Sequence, residues 1–391
     1  MFLQRPQPHK DETLESFLIR VANKNGYEDV HRFLMATKRY LQDIDHELFQ
    51  TFPTDIKLIN PYSSKNNSRS RTSALHRFSQ MTFNEPTELL ELAFNRAKIK
   101  YSSTTALIRG AEAIPRSLLR ATVKCCPHCL REEGFASYRW HFIGYNCCSK
   151  HQTKLIDQCQ CGANYDYRDN GLKGICHACN EPLQSDKSNN HACDLVVSRW
   201  LEGDSIAPLP DLPKSYRWGL IHWWGQVSDV DFCVKTLIKF WENWPNSFHD
   251  MIEHEIQFNL EYATVKHEQL RVKDLIGRLF FKSIQLPQRN LQHNIILSEL
   301  LAYIDQRLWD NQGLLANLKM NAFEIAVFLN CSLDQVASMV EQRLIKPNKR
   351  TKPNAPINNR DYIFYLGDIY CLWLAEFQTD EFNRSFYVSR W

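Results

Sequence analysis

Nine of the thirteen cysteines in this 391-residue chain fall between Lys124 and Leu183, and seven of them, with His151, form four close pairs. Cys126-Pro-His-Cys129 is answered, after eighteen residues, by Cys148-Ser-Lys-His151. Seven residues on, Cys159-Gln-Cys161-Gly162 is answered, after fourteen, by Cys176-His-Ala-Cys179. Four thiolate or imidazole ligands close a tetrahedral shell around zinc, and a short gap lets both members of a pair reach one ion. The tandem spacing therefore predicts two zinc ions, one on Cys126, Cys129, Cys148 and His151, the other on Cys159, Cys161, Cys176 and Cys179. Cys125 and Cys147 each precede one of these cysteines and leave an alternative ligand open. The two-residue gap favours Cys126 and Cys148, and Pro127 suits a tight knuckle. His128 and His177 lie inside knuckles as spectators, and His141, beside Trp140, reads as a packing residue.

A catalytic zinc keeps one position for water, whereas each unit here offers four good ligands. A deaminase would want His-x-Glu ahead of Pro-Cys-x-x-Cys, and none precedes Cys126 nearby. Structural zinc is the expectation. It would hold together a region too small and polar to build its own core.

Composition bounds the remainder. An apolar content of 43% and a charged content of 23% are those of a globular protein of two to four domains. There is no run of about 18 apolar residues for a membrane span. The first residues lack the apolar core of a signal peptide. Metal-spaced cysteines fit a reducing cytoplasm better than a disulfide framework. The net charge of +3 conceals local excess: residues 60–131 carry twelve Lys or Arg against four acids, and residues 341–360 six against one. Such patches can neutralise phosphates, although a solvated surface gives the same composition.

The expected fold is mainly α, in four parts: a helical N-terminal domain over 1–110, a double zinc-ribbon or zinc-finger region over 111–185, a helical domain over 195–310, and a C-terminal helix-turn-helix domain over 311–391. Leu14, Phe17, Leu18, Val21 and Ala22 follow helical spacing, with Thr13 as N-cap and Asn25-Gly26 as stop. A second helix starts near Asp29 and carries Val30, Phe33 and Leu34. The pair resembles a helix-turn-helix, but generic helical packing gives the same pattern. Asn60 to Arg71 reads as an exposed basic loop. Helical pieces follow from Pro86 and over Ile114 to Ala121. Gln184 to His191 is a polar linker before a helix with Val196, Val197, Trp200 and Leu201, and three prolines then break the chain over Ala207 to Pro213. The tryptophan-rich stretch from Tyr216 to Phe281 is expected to form a helical core, with base stacking the alternative. Leu291 to Leu308 is a further helix.

Near the C-terminus, Asn321 and Glu324 stand at capping-box spacing, as do Ser332 and Gln335. They open two helices around Asn330-Cys331, the second carrying Val336, Ala337, Val340 and Leu344 inward. With Lys346, Lys349, Arg350 and Lys352 as a basic wing, this is a helix-turn-helix pattern. The face left for a groove, Asp334, Gln335, Ser338 and Gln342 with Arg343 at its end, is a poor base reader. The wing cations suit phosphate contact without sequence choice. Protein docking is the alternative use.

The zinc ligand pairs, with Glu12-Thr-Leu-Glu-Ser-Phe-Leu-Ile-Arg-Val-Ala22, resemble the TniQ family of transposition proteins. The resemblance covers residues 12–183 well and the remainder more loosely, and length and start are close to those of the branch found in type I-F CRISPR-associated transposons. It implies a non-enzymatic homodimeric adaptor for choosing an insertion site. In that branch the adaptor links the RNA-guided Cascade complex to an AAA+ ATPase that recruits the transposase. It acts in the bacterial cytoplasm, at the nucleoid during transposition, with target DNA nearby or touched non-specifically and no membrane. Two other classes compete: a stand-alone sequence-specific DNA binder, and a zinc hydrolase or nuclease. No Walker motif is present, so the chain should not itself be the ATPase.

Overall fold

A computed structural model describes residues 2–64, 69–185, 191–228, 232–288, 290–309, 313–348 and 358–373. The described chain is mainly α, with eighteen helices and seven short strands. It divides into two compact units, Met1–Gly225 with Val230–Ile238, and Gln226–Asp229 with Lys239–Trp391. None of the described helices is by itself long and apolar enough to cross a membrane.

The first unit opens with α1 (Leu14–Lys24), α2 (Val30–Ile44) and the single turn α3 (His46–Phe49). Thr13 holds extended backbone and its hydroxyl accepts from the Ser16 N–H, which fixes the start of α1. Asn25 ends it, and Gly26 takes a φ of +81°, a left-handed turn that costs glycine no Cβ clash. Asp29 caps α2, whose inner face is Phe33, Leu34, Thr37 and Leu41. Glu15 and Ser16, polar positions of α1, are also buried.

The described residues of the expected exposed loop, 60–64 and 69–71, are largely not exposed, and 65–68 lie outside the described residues. Asn60 is fully buried: its amide donates to Glu15 and its carbonyl oxygen accepts from the Phe94 N–H. A 3-10 turn follows at Pro61–Ser63, and α4 (Arg69–Thr82) has already begun by Arg69. After α5 (Pro86–Leu92) comes an antiparallel sheet that helical periodicity did not reveal: β1 (Asn95–Tyr101), β2 (Thr104–Arg109) and β3 (Glu112–Pro115), in that order. Tyr101, Ala106 and Ala113 form its buried cluster, with Ala97, Ile99 and Ile108 against it. The expected helix over Ile114 to Ala121 is instead the end of β3 and a 3-10 turn at Arg116–Leu118, because Ile114 pairs with Leu107 across the sheet.

The cysteine region contains α6 (Pro127–Glu132), the hairpin β4 (Cys147–Cys148) and β5 (Thr153–Lys154), and the turn α7 (Tyr167–Asn170). The first unit then adds α8 (Ala192–Glu202) and the start of α9 (Lys214–Val227). Trp200, Trp218 and Trp223 are buried to 1% exposure or less, so the aromatics serve as core. Trp218 packs on Phe142, and its indole N–H donates to Glu112.

After α10 (Val234–Glu242), the second unit holds α11 (Asn246–Glu261), α12 (Val272–Leu275), α13 (Gly277–Ser283), α14 (Ile295–Trp309) and α15 (Gly313–Ala316). Phe240, Trp241, Trp244 and Phe248 interlock edge to face and stacked. Helix α14 starts at Ile295 rather than Leu291, because the buried Asn294 side chain accepts from the Leu297 N–H. Strand β6 (Lys319–Met320) pairs with β7 (Phe364–Tyr365), which leads into α18 (Leu366–Leu372). Between them, α16 (Ala322–Phe328) and α17 (Leu333–Glu341) meet at 105° across a turn where Asn330 has φ +50°. Both expected capping boxes form. The inward residues after that turn are Val336, Met339 and Ile345. Ala337 and Leu344, expected inside, are exposed.

Candidate metal centres

Cys126 stands at the N-cap of α6 with Pro127 at its first position, and Cys129 lies one turn on. Opposite, Cys148 pairs with Thr153 in the β4–β5 hairpin. The hairpin loop closes with Gln152 in the left-handed region (φ +53°) and its N–H on the Cys148 carbonyl. That turn carries His151 back towards Cys148. Cys125 N–H and C=O both pair with Ile156, which fastens the helix to the hairpin.

The four side chains converge. Cys129 Sγ lies 3.5 Å from Cys148 Sγ, and His151 Nδ1 lies 3.5, 3.2 and 3.5 Å from the sulfurs of Cys126, Cys129 and Cys148. Cys159, Cys161, Cys176 and Cys179 converge likewise, with sulfur separations of 3.7 Å for Cys159–Cys179 and Cys161–Cys176. Within each set all ligand atoms lie within 4.8 Å of one another. A tetrahedral zinc with Zn–S near 2.3 Å has sulfur–sulfur edges of about 3.8 Å. Both sets are therefore sized for a metal ion of that kind.

Two further features match a metal shell. His151 Nε2 is 2.9 Å from Glu132, so the outer ring nitrogen donates to a carboxylate and Nδ1 is left with its lone pair inward. The N–H groups of His151 and Ala178 point at the sulfurs of Cys148 and Cys176, each at 3.4 Å. In the second set, Gly162 at φ +87° and Asn180 at φ +59° close the two knuckles. Gly162 N–H donates to Cys159 and Asn180 N–H to Cys176.

The thiols also need a cation. Hydrogen bonds from Cys129 and Cys148 pull Cys126 far down, and the same contact with Cys126 drives Cys129 far up and Cys148 to about 12. Backbone donors from Cys179 and Ala178 lower Cys176 to about 6. At Cys179 the backbone donor from Glu181 is outweighed by desolvation with the thiols of Cys176, Cys159 and Cys161, and its pKa rises to about 12. Crowded sulfurs cannot all ionise unless positive charge sits among them. With four ligands each, neither set leaves a position for a reacting water.

The neighbouring cysteines point elsewhere. Cys125 is fully buried with its thiol pushed well up by burial, and the Cys147 sulfur lies 4.0 Å from the His191 carbonyl. His128 sits beside the His151 ring, and His177 meets Asn170 at 2.8 Å. His141 is buried on Tyr167, which in turn bonds the Thr13 cap (2.7 and 2.9 Å); burial drops its pKa to about 3, a neutral packing imidazole.

Of the expected wing, Lys346 is exposed, while Lys349, Arg350 and Lys352 lie outside the described residues. On the face expected to meet a groove, the Gln335 side chain is spent on the Ser332 N–H (2.7 Å), and Gln342 donates to Ser338 (3.2 Å). Sequence reasoning missed Glu132, the outer partner of His151. Its place three residues after Cys129 on a helix was the available signal.

Residues 3–155 match the model of the TniQ family. The first cysteine set lies inside the matched stretch and the second beyond it. No curated protein matches the chain.

Proposed function

We propose that this chain is a non-catalytic adaptor in transposon target-site selection, joining an RNA-guided Cascade complex to the AAA+ ATPase that recruits the transposase. The observation that carries the reading is the TniQ match over residues 3–155, a family associated with transposition target selection. Two closed four-ligand sets agree with it, since they can brace a surface but have no position for a reacting water. We assign zinc to both, on Cys126, Cys129, Cys148 and His151 and on Cys159, Cys161, Cys176 and Cys179. When bound, zinc supplies the positive charge that lets these thiols ionise together.

The adaptor works as a homodimer in the bacterial cytoplasm, at the nucleoid during transposition. Its α16–α17 pair acts as a helix-turn-helix, with Lys346, Lys349, Arg350 and Lys352 contacting phosphate. A groove face whose Gln335 serves the helix cap and whose Gln342 bonds Ser338 favours guidance by a partner over base reading. The finer partition into 1–110, 111–185, 195–310 and 311–391 gives each role its own module.

The test is co-purification with Cascade subunits, guide RNA and the ATPase, with and without DNA. A stable complex on size exclusion is expected. Separate elution of the chain and Cascade would sink the guided version, and a footprint on one duplex sequence without partners would make it a stand-alone selector.

A further inference from the structure

The first unit contains a groove of about 790 Å³ that neither metal set nor the adaptor reading uses. One wall is the end of α1, with Arg20 and Lys24. Another is α6, with Leu130 and Arg131. The third is the segment that leads into the second metal knuckle, with Lys173 and Ile175. The walls are braced together. At Gly174 the knuckle backbone runs so close to α6 that an added Cβ would sit 3.4 Å from Pro127 O and 3.5 Å from Leu130 Cβ. The Arg131 guanidinium donates to the Leu183 carbonyl at 2.8 Å.

The groove's charge is one-sided. Arg20 is paired with the buried Glu12, and the only acid on the lining, Glu133, is paired with Lys150. Lys24, Arg131 and Lys173 make no ion pair among the described residues, so three positive charges face the groove uncompensated. The exposed surface between them is aliphatic: Pro182 and Ile175, the latter 42% exposed, over the buried Leu130 and Leu172.

We propose that this groove binds an acidic peptide segment of a partner protein, anchored by a large apolar side chain on Ile175 and Pro182 and held by carboxylates on Lys24, Arg131 and Lys173. Charge complementarity selects an anion, and the aliphatic floor selects a peptide over a nucleic acid. A phosphate backbone gains nothing from covering proline and isoleucine, and the groove lining has no tryptophan, tyrosine or phenylalanine on which a base would stack. Four of the twelve lining residues come from the second knuckle, so binding would require its metal.

A random dodecapeptide display library selected on the full-length chain alone tests this, in parallel with duplex DNA and single-stranded RNA probes. Because no Cascade component is present, the outcome is independent of the adaptor reading. Enriched peptides should carry Asp or Glu around one or two Leu, Ile or Phe residues. Their affinity should fall about tenfold or more in Lys24→Glu/Lys173→Glu, and by about threefold to tenfold in Ile175→Ser. Unchanged melting temperatures would show that both variants fold. An empty selection, non-acidic winners, or binding indifferent to these residues would overturn the proposal. So would oligonucleotides that bind the groove and ignore Ile175→Ser.

Discussion

His151 has to present Nδ1 inward and a protonated Nε2 outward, and the carboxylate of Glu132 at 2.9 Å is what selects that tautomer. Glu132→Gln should keep the fold but weaken metal binding at the first set by about tenfold to a hundredfold, read by competition with a chromophoric chelator. Unchanged affinity would mean the contact is incidental. Glu15 poses a different problem. Its carboxyl is fully buried, and burial raises its pKa from 4.5 to about 7. A raised folded pKa means stability that is complete below 4.5 and lost as pH rises through 7. Glu15→Gln cannot ionise and can still accept from Asn60. Between pH 5 and pH 8 the wild type should therefore lose melting temperature relative to the variant; a parallel pair of curves would refute it. The opposite contribution of His141, lost as pH falls from 6.5 towards 3, is common to both chains and cancels. The metal residues could be read from spacing because a ligand pair is a local signal. Glu15 could not: it sits beside Leu14 on a ring of the helix that would face water, were α1 not covered by Asn60 and by Tyr167 on its Thr13 cap.

Among elements, α1, α2 and the α16–α17 pair announced themselves through caps, since a capping side chain must lie within a few residues of the N–H it serves. Asn321→Ala should remove the cap of α16 and cost about 1 kcal/mol, measured by denaturant titration. The β1–β3 sheet was legible too, but in the other period. Asn95-Arg-Ala-Lys-Ile-Lys-Tyr101 alternates cations with Ala97, Ile99 and Tyr101, and the strand's exposure alternates in step. Reading the basic excess of residues 60–131 as one patch hid that pattern. Three of its cations, Arg96, Lys98 and Lys100, lie on the outer face of β1, an edge strand of the kind charged side chains protect from mispairing. The burial of Asn60 was illegible because both its partners, Glu15 and Phe94, are more than thirty residues away. Gly144 is a tight point of the same kind. At φ +99°, with Ile221 Cγ2 only 2.9 Å from where a Cβ would stand, Gly144→Ala should destabilise the fold by about 1–3 kcal/mol in the same titration.

At the level of the whole chain, both cysteine sets belong to the first of the two compact units. Metal removal should therefore act unevenly. A chelator is expected to melt the first unit while helical signal from α11 to α18 persists, giving two calorimetric transitions of which only the lower moves with metal concentration. One cooperative transition that shifts as a whole would contradict it. The second unit was legible as helices but not as a packed body. Its order rests on aromatic contacts such as Trp244 on Phe248 and on the late pairing of Met320 with Phe364, and nothing in a local window reports those.

The Thr13 hydroxyl at the start of α1 is hydrogen-bonded to Tyr167, 154 residues later. On a ribosome adding about 5–20 residues each second, the first helix waits some 8–30 s before that partner exists. Until then the start of α1 lacks its Tyr167 partner on a nascent chain. An expression fragment ended at residue 155, where the family match stops, would make that wait permanent.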